Sequence, residues 1–132
     1  MKSFVLDASA LMTFFENRPG AAKVEEILRG AADSQRPLAM SVINWGEVYY
    51  SIWRTHGEKA AAAKLQAIAQ LPIQIFDVDM GLAKLAASLK AQFNLPYADS
   101  FAAALSQLQK SIVVTNDKDF ERAATVVKIL LI

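Results

Sequence analysis

The chain contains no cysteine, so neither a disulfide framework nor a thiolate zinc site is open to it. Its single histidine, His56, cannot build a three-histidine zinc centre, and nothing around it marks the base of a nucleophilic triad. Neither sign of charge dominates: 14 basic and 13 acidic residues leave a net +1, so any affinity for a polyanion must come from local arrangement. No apolar run is long enough to span a membrane, which leaves no expected membrane partner. The opening run Phe4-Val5-Leu6 meets Asp7 far too soon for a signal-peptide core. These absences make the cytoplasm the expected compartment.

What is present suits one folded unit. The 132 residues are 54% hydrophobic and 20% charged, enough apolar surface to offset chain entropy in a single domain spanning 1–132. Phe4-Val5-Leu6 reads as a buried strand, and Ala8 to Met12 resumes as a helix. From about Gly20 to Ala32, Val24, Ile27, Leu28 and Ala31 recur on one helical face, with Gly30 and the polar run Asp33–Pro37 expected to stop it. Leu38–Val42 reads as a second strand, and Asn44 as the N-cap of a helix running through Glu47 to about His56. A helix over about Glu58–Leu71, rich in alanine, precedes a third strand, Ile73–Phe76. Val78, Leu82, Leu85, Ala86, Leu89 and Phe93 then recur at helical spacing. A helix starting near Tyr97 carries Phe101, Ala102, Leu105 and Leu108 as its apolar stripe and Asp99 in its first turn. Ile112–Val114 and Val126–Leu130 supply the last two strands. Short strands separated by helices need crossover connections, hence a parallel sheet covered on both faces: a three-layer α/β/α sandwich.

In such sheets ligands collect beyond the carboxyl ends of the strands, and acids stand there. Asp7 closes the first strand, Glu47 lies near the start of the helix after the second, Asp99 at a helix start, and Asp117 just after the fourth strand. Unit charges about 4 Å apart repel by roughly 4 kcal/mol at an effective dielectric near 20. Converging carboxylates therefore take up protons or a cation, and an all-oxygen donor set selects a hard ion such as Mg²⁺ or Mn²⁺.

Val5-Leu6-Asp7-Ala8-Ser9, Asn44-Trp45-Gly46-Glu47, Ala98-Asp99-Ser100 and Thr115-Asn116-Asp117-Lys118-Asp119-Phe120 resemble, in order, the signatures of PIN-domain nucleases. Length and opening are similar to the VapC group of toxin-antitoxin ribonucleases. The resemblance implies a five-stranded parallel sheet, with Asp7, Glu47, Asp99 and Asp117 as Mg²⁺ or Mn²⁺ ligands and catalytic residues. It implies Ser9, Thr115 and Asn116 as a polar shell, with Asp119 as a lesser candidate ligand. Where the family often has glycine this chain has Asn116, a residue able to adopt the same backbone conformation. The resemblance further implies an endoribonuclease leaving 5′-phosphate and 3′-hydroxyl ends, a homodimer, and a cognate antitoxin whose C-terminal segment blocks the groove.

Plainer readings compete. Taken singly, Asp7, Asp99 and Asp117 suit helix caps or first turns, although capping has no use for Glu47. Trp45, Tyr49 and Trp53 form one helical stripe read as core or interface, and His56 beside Gly57 reads as a helix end. Glu47, Tyr50 and Arg54 share another face, from which Arg54 would reach a substrate phosphate or else stay solvated. Arg18, Lys90, Lys110 and Lys118 are candidates for a basic rim. Two rival functions remain at this stage. A receiver-type signalling domain needs paired acids after its first strand, whereas Ala8-Ser9 follows Asp7; a phosphatase with a second aspartate two residues on meets Ser9. A silent PIN-like module that binds RNA or protein would keep the fold without turnover.

Overall fold

The computed structural model describes residues 2–132. Five strands form one sheet: β1 (Phe4–Leu6), β2 (Leu38–Ser41), β3 (Ile73–Phe76), β4 (Ile112–Thr115) and β5 (Lys128–Leu131). All neighbours pair in parallel in the order β3-β2-β1-β4-β5, with Val5 opposite Ala39 on one side and Val113 on the other.

Successive strand residues face opposite sides of a sheet, and this alternation splits the core in two. Leu6, Leu38, Met40 and Val114 pack under α1 (Ala8–Phe15), α2 (Ala21–Ser34), α3 (Val42–His56) and α4 (Glu58–Ala69). Val5, Ala39 and Val113 pack on the other side under α5 (Met80–Phe93) and α6 (Tyr97–Gln109). A 3-10 turn over Lys118–Ala123 sends Phe120 and Ala123 into this second core, an element the sequence pattern does not announce. The three-layer α/β/α architecture is thus as expected, and among the described residues no helix is long and apolar enough to cross a membrane.

Several boundaries differ, each for a local reason. Ser41 ends β2 and caps α3 itself, accepting from Ile43 N at 3.2 Å, so Val42 is helical and Asn44 lies inside the helix, fully buried, rather than at the cap. Gly30 sits within α2, which runs on to Ser34 before Gln35 turns left-handed. Leu108 is 62% exposed because the packed stretch of α6 is Ser100–Ser106 and the last turn runs past it. Val126 stays outside β5 because its amide closes the preceding turn on Ala123 O at 3.0 Å. Gly57 joins α3 to α4 at φ +94, a backbone conformation that side chains resist.

Candidate active site

β1 and β4 lie side by side, yet the chain leads from β1 towards β2 and β3 on one flank and from β4 to β5 on the other. Such a switch point opens a crevice beyond the carboxyl ends of the two strands. Asp7 follows β1 directly, and Thr115, Asn116 and Asp117 follow from the end of β4.

Asp7 is 2% exposed and caps α1 by accepting from Ala10 N at 2.8 Å through Oδ1. Ser9 Oγ lies 2.7 Å from that same oxygen and 2.9 Å from Oδ2, which also accepts from Thr115 Oγ1 at 2.6 Å. Burial nonetheless dominates: it pushes the Asp7 carboxyl up to about 6, against the hydrogen bonds that lower it, with the charge of Glu47 adding to the rise.

Glu47 stands in the second turn of α3, half-buried, and Oε1 accepts from Asn44 Nδ2 at 2.9 Å. Burial raises its proton affinity, the Asn44 amide lowers it, and the charge of Asp117 raises it again. Asp99, in the first turn of α6, is pushed up to about 8, first by burial and then by the neighbouring Asp117 carboxyl. Asp7 and Glu47 add to the repulsion, and Asp99 Oδ2 is buried without a hydrogen-bond partner. Asp117 caps the 3-10 turn, its Oδ1 accepting from Asp119 N at 2.9 Å, while its own amide donates to Thr115 Oγ1 at 2.9 Å.

The four acids, drawn from stretches far apart in sequence, thus feel one another's charge. Among the described residues none of them forms a salt bridge, since the ion pairs join other carboxylates to Arg18, Lys23, Arg29 and Arg122. An all-carboxylate donor set and an orphaned buried oxygen fit a hard divalent cation. The fit is one of donor chemistry rather than of a finished cage: among the described residues no three His, Cys, Asp or Glu side chains are gathered closely enough to hold a metal ion as they stand.

The supporting residues divide. Ser9 Oγ accepts from Asn116 N at 3.0 Å, so Ser9 and Thr115 tie the ends of β1 and β4 together around Asp7. Asn116 turns its side chain elsewhere: Nδ2 donates to buried Thr13 Oγ1 at 2.9 Å, bracing α1. Its backbone is not among the described positive-φ positions, so the glycine-like conformation expected there is not used. Asp119 pairs with Arg122 at 3.1 Å and is not drawn into the acid cluster.

A groove of about 350 Å³ runs from Ser9 and Glu47 past Ser51 and Thr55 to Arg18 and His56. Arg54 is exposed and does not line it; the α3 positions on the groove side of Glu47 are four, eight and nine residues on, not seven. Arg18 is held by Glu16 at 2.8 Å, Lys90 Nζ donates to Leu95 O at 2.9 Å, and Lys110 terminates α6 just before β4, at the sheet's opposite end. Lys118 is exposed in the 3-10 turn, so the four cations form no continuous rim. Trp45 and Tyr49 pack against the core, with Tyr49 edge-on to the half-exposed Trp53 at 5.5 Å. His56 does end α3. The residue that sequence reasoning misplaced is Asn44, whose spacing of three from Glu47 on one helix was the available signal.

A sequence profile described as PIN domain matches residues 4–126. No curated protein matches the chain in sequence. Among solved structures, a toxin-antitoxin complex from Klebsiella pneumoniae is similar at 23% identity, with 97% of this chain and 96% of that one covered and a TM-score of 0.68. DNA-bound VapBC from Salmonella typhimurium is similar at 19% identity, 98% of each chain and a TM-score of 0.73. VapC20 of Mycobacterium tuberculosis, described as a sarcin-ricin loop cleaving toxin, is similar at 18% identity, 96% of this chain and 98% of that one, with a TM-score of 0.72. At these identities the structural likeness is one of fold. The profile match takes in the whole switch-point crevice and all four of its acids, and the chain belongs to the PIN-domain family.

Proposed function

We propose that the protein is an endoribonuclease dependent on Mg²⁺ or Mn²⁺, acting as the toxin of a toxin-antitoxin pair. The observation that carries this is the set Asp7, Glu47, Asp99 and Asp117: mutually repelling carboxylates, two with strongly raised proton affinity, with no cationic side chain paired to them among the described residues. A purely structural cluster would carry an internal counter-charge, because an uncompensated buried charge is costly. The toxin assignment leans on the similar folds whose descriptions name toxin-antitoxin complexes.

These four carboxylates would hold the ion, which when bound would activate water and neutralise charge growing on a phosphodiester. The chain's own groups prepare the site. Thr115 and Ser9 hold Asp7 in one orientation and lower its proton affinity, so that it can ionise within a dry pocket. Burial and the neighbouring carboxylates keep a proton on Asp99, which would be released once a bound cation offset that repulsion. The groove past Ser51 and Thr55 leads away from the acids and offers room for a single RNA strand. A cognate antitoxin would occupy that groove, and two copies of the chain would pair as a homodimer.

Incubating the purified protein with mixed RNA and Mg²⁺ or Mn²⁺, with and without chelator, tests the reading. Cleavage that stops on chelation and leaves 5′-phosphate ends is expected. Cleavage that survives chelation, or none with either ion, overturns it; the latter result favours a silent PIN-like module.

A further inference from the structure

Asn44 is 0% exposed, yet it is polar and faces inward from the first turn of α3, where an apolar residue would pack more cheaply. Both hydrogens of its amide are committed. One goes to Glu47 Oε1 at 2.9 Å, one turn along α3, and the other to Ala98 O at 3.1 Å, fifty-four residues away in the first turn of α6. Ala98 immediately precedes Asp99, so a single NH₂ group fixes the Glu47 carboxylate relative to the helix turn that carries Asp99. Both acceptors are oxygens, which also settles which end of the amide is nitrogen.

The remaining atom, Asn44 Oδ1, is buried without a hydrogen-bond partner, and a buried orphan acceptor is destabilising. A residue kept only for stability would avoid that cost. Local rules broken at such expense mark sites of function. Together with Asp99 Oδ2 it is one of two orphaned buried side-chain atoms among the described residues, and both belong to this α3–α6 junction.

We infer that Asn44 is a positioning residue, setting the separation of Glu47 and Asp99 so that both can ligate one divalent ion. The inference rests on the metal-binding reading of the four acids. Outer residues that orient ligands typically contribute 10- to 100-fold in metal affinity. Asn44 would do so by setting Glu47 against Asp99, an effect that needs the Glu47 carboxylate to be present, which separates it from a generally stabilising core residue.

The experiment is Mn²⁺ titration by electron paramagnetic resonance of wild type, Asn44→Ser and Asn44→Leu, repeated with Glu47→Ala in each, alongside thermal melts. Serine keeps a donor too short to span both acceptors, and leucine keeps the branched shape without any polar atom to leave unpaired, so at least one variant is expected to fold. About tenfold weaker Mn²⁺ binding is expected in a folded variant, with no further loss once Glu47 is absent. Unchanged affinity, or an equal loss in the Glu47→Ala background, overturns the inference. Failure of wild type to bind Mn²⁺ overturns it together with the metal reading. Wild type that binds Mn²⁺ but leaves RNA intact sinks only the nuclease reading, and the affinities still decide the role of Asn44.

Discussion

Thr115 Oγ1 donates to Asp7 Oδ2 at 2.6 Å across 108 residues of chain, the shortest hydrogen bond to that carboxylate. It stitches the ends of β1 and β4 together and opposes the burial that raises the Asp7 proton affinity. Thr115→Val keeps the shape and deletes this donor. The carboxyl of Asp7 then rises further above about 6, and the acid limb of the pH–rate profile moves up by roughly one unit, since a hydrogen bond to a charged group is worth about 1.5–3 kcal/mol. A profile superimposing on wild type would refute this.

Asp7→Asn separates capping from chemistry. Asparagine caps helices as well as aspartate, so the bond from Ala10 N survives and the variant should fold, melting no lower than wild type at neutral pH in chelator because the penalised buried charge is gone. Metal-dependent RNA cleavage should fall at least about 100-fold, as expected for loss of a metal ligand or its immediate support. Full activity in a folded variant would remove Asp7 from the site.

The raised acids give the metal-free protein an unusual pH dependence. A carboxyl raised on folding binds more protons folded than unfolded between its two pKa values, so its contribution to stability is present at low pH and is lost as pH rises. For Asp7 that window runs from about 4 to about 6, with a cost on the order of 3 kcal/mol at one pKa unit per 1.36 kcal/mol. For Asp99 it extends to about 8. In chelator, Tm should therefore fall between pH 4 and pH 8, and Mg²⁺ or Mn²⁺ should restore it at the upper end by binding the folded state. A melting temperature that climbs with pH in chelator would contradict the arrangement.

Asp99→Asn should show opposite effects on stability and activity. It removes the most strongly perturbed acid from the cluster, so the chelated protein should melt higher than wild type at pH 8. Mn²⁺ binding and RNA cleavage should both fall. Calorimetry with metal titration reads both effects, and a lowered Tm in chelator would show that Asp99 is not repelled as described.

Phe120→Ala tests the link between core and site. Phe120 is fully buried in the 3-10 turn that Asp117 caps, and emptying such a position costs about 3–5 kcal/mol. Because the turn positions Asp117, metal affinity should drop as well in the fraction that remains folded. Denaturant unfolding followed by Mn²⁺ titration measures the two losses separately.

Much of this was legible beforehand because it depends on local patterns. The apolar runs at Phe4–Leu6 and Ile112–Val114 announce strands, the periodicity of Val24, Ile27, Leu28 and Ala31 announces α2, and acids just past strand ends announce a crevice. Asn44 and Asn116 were harder. Each is a good cap or turn residue by propensity, but Ser41 takes the cap of α3, and Asn116 spends its amide on Thr13 of α1. For Arg54, helical spacing from Glu47 left a phosphate contact and a solvated side chain both open, and it stands exposed, away from the groove wall of Ser51 and Thr55.

Local sequence alone determined the order of strands and helices, the parallel sheet and the identity of the four acids, since periodicity and strand-end position act over a few residues. Only the folded chain decided which groups touch. The Thr115–Asp7 bond, the Asn44 bridge from Glu47 to Ala98 and the pairing of Asp119 with Arg122 are angular, short-range contacts, and all but the last join segments that pack together only in three dimensions. The shifted proton affinities follow from the same cause, because desolvation and mutual repulsion exist only once the chain has buried those carboxyls together.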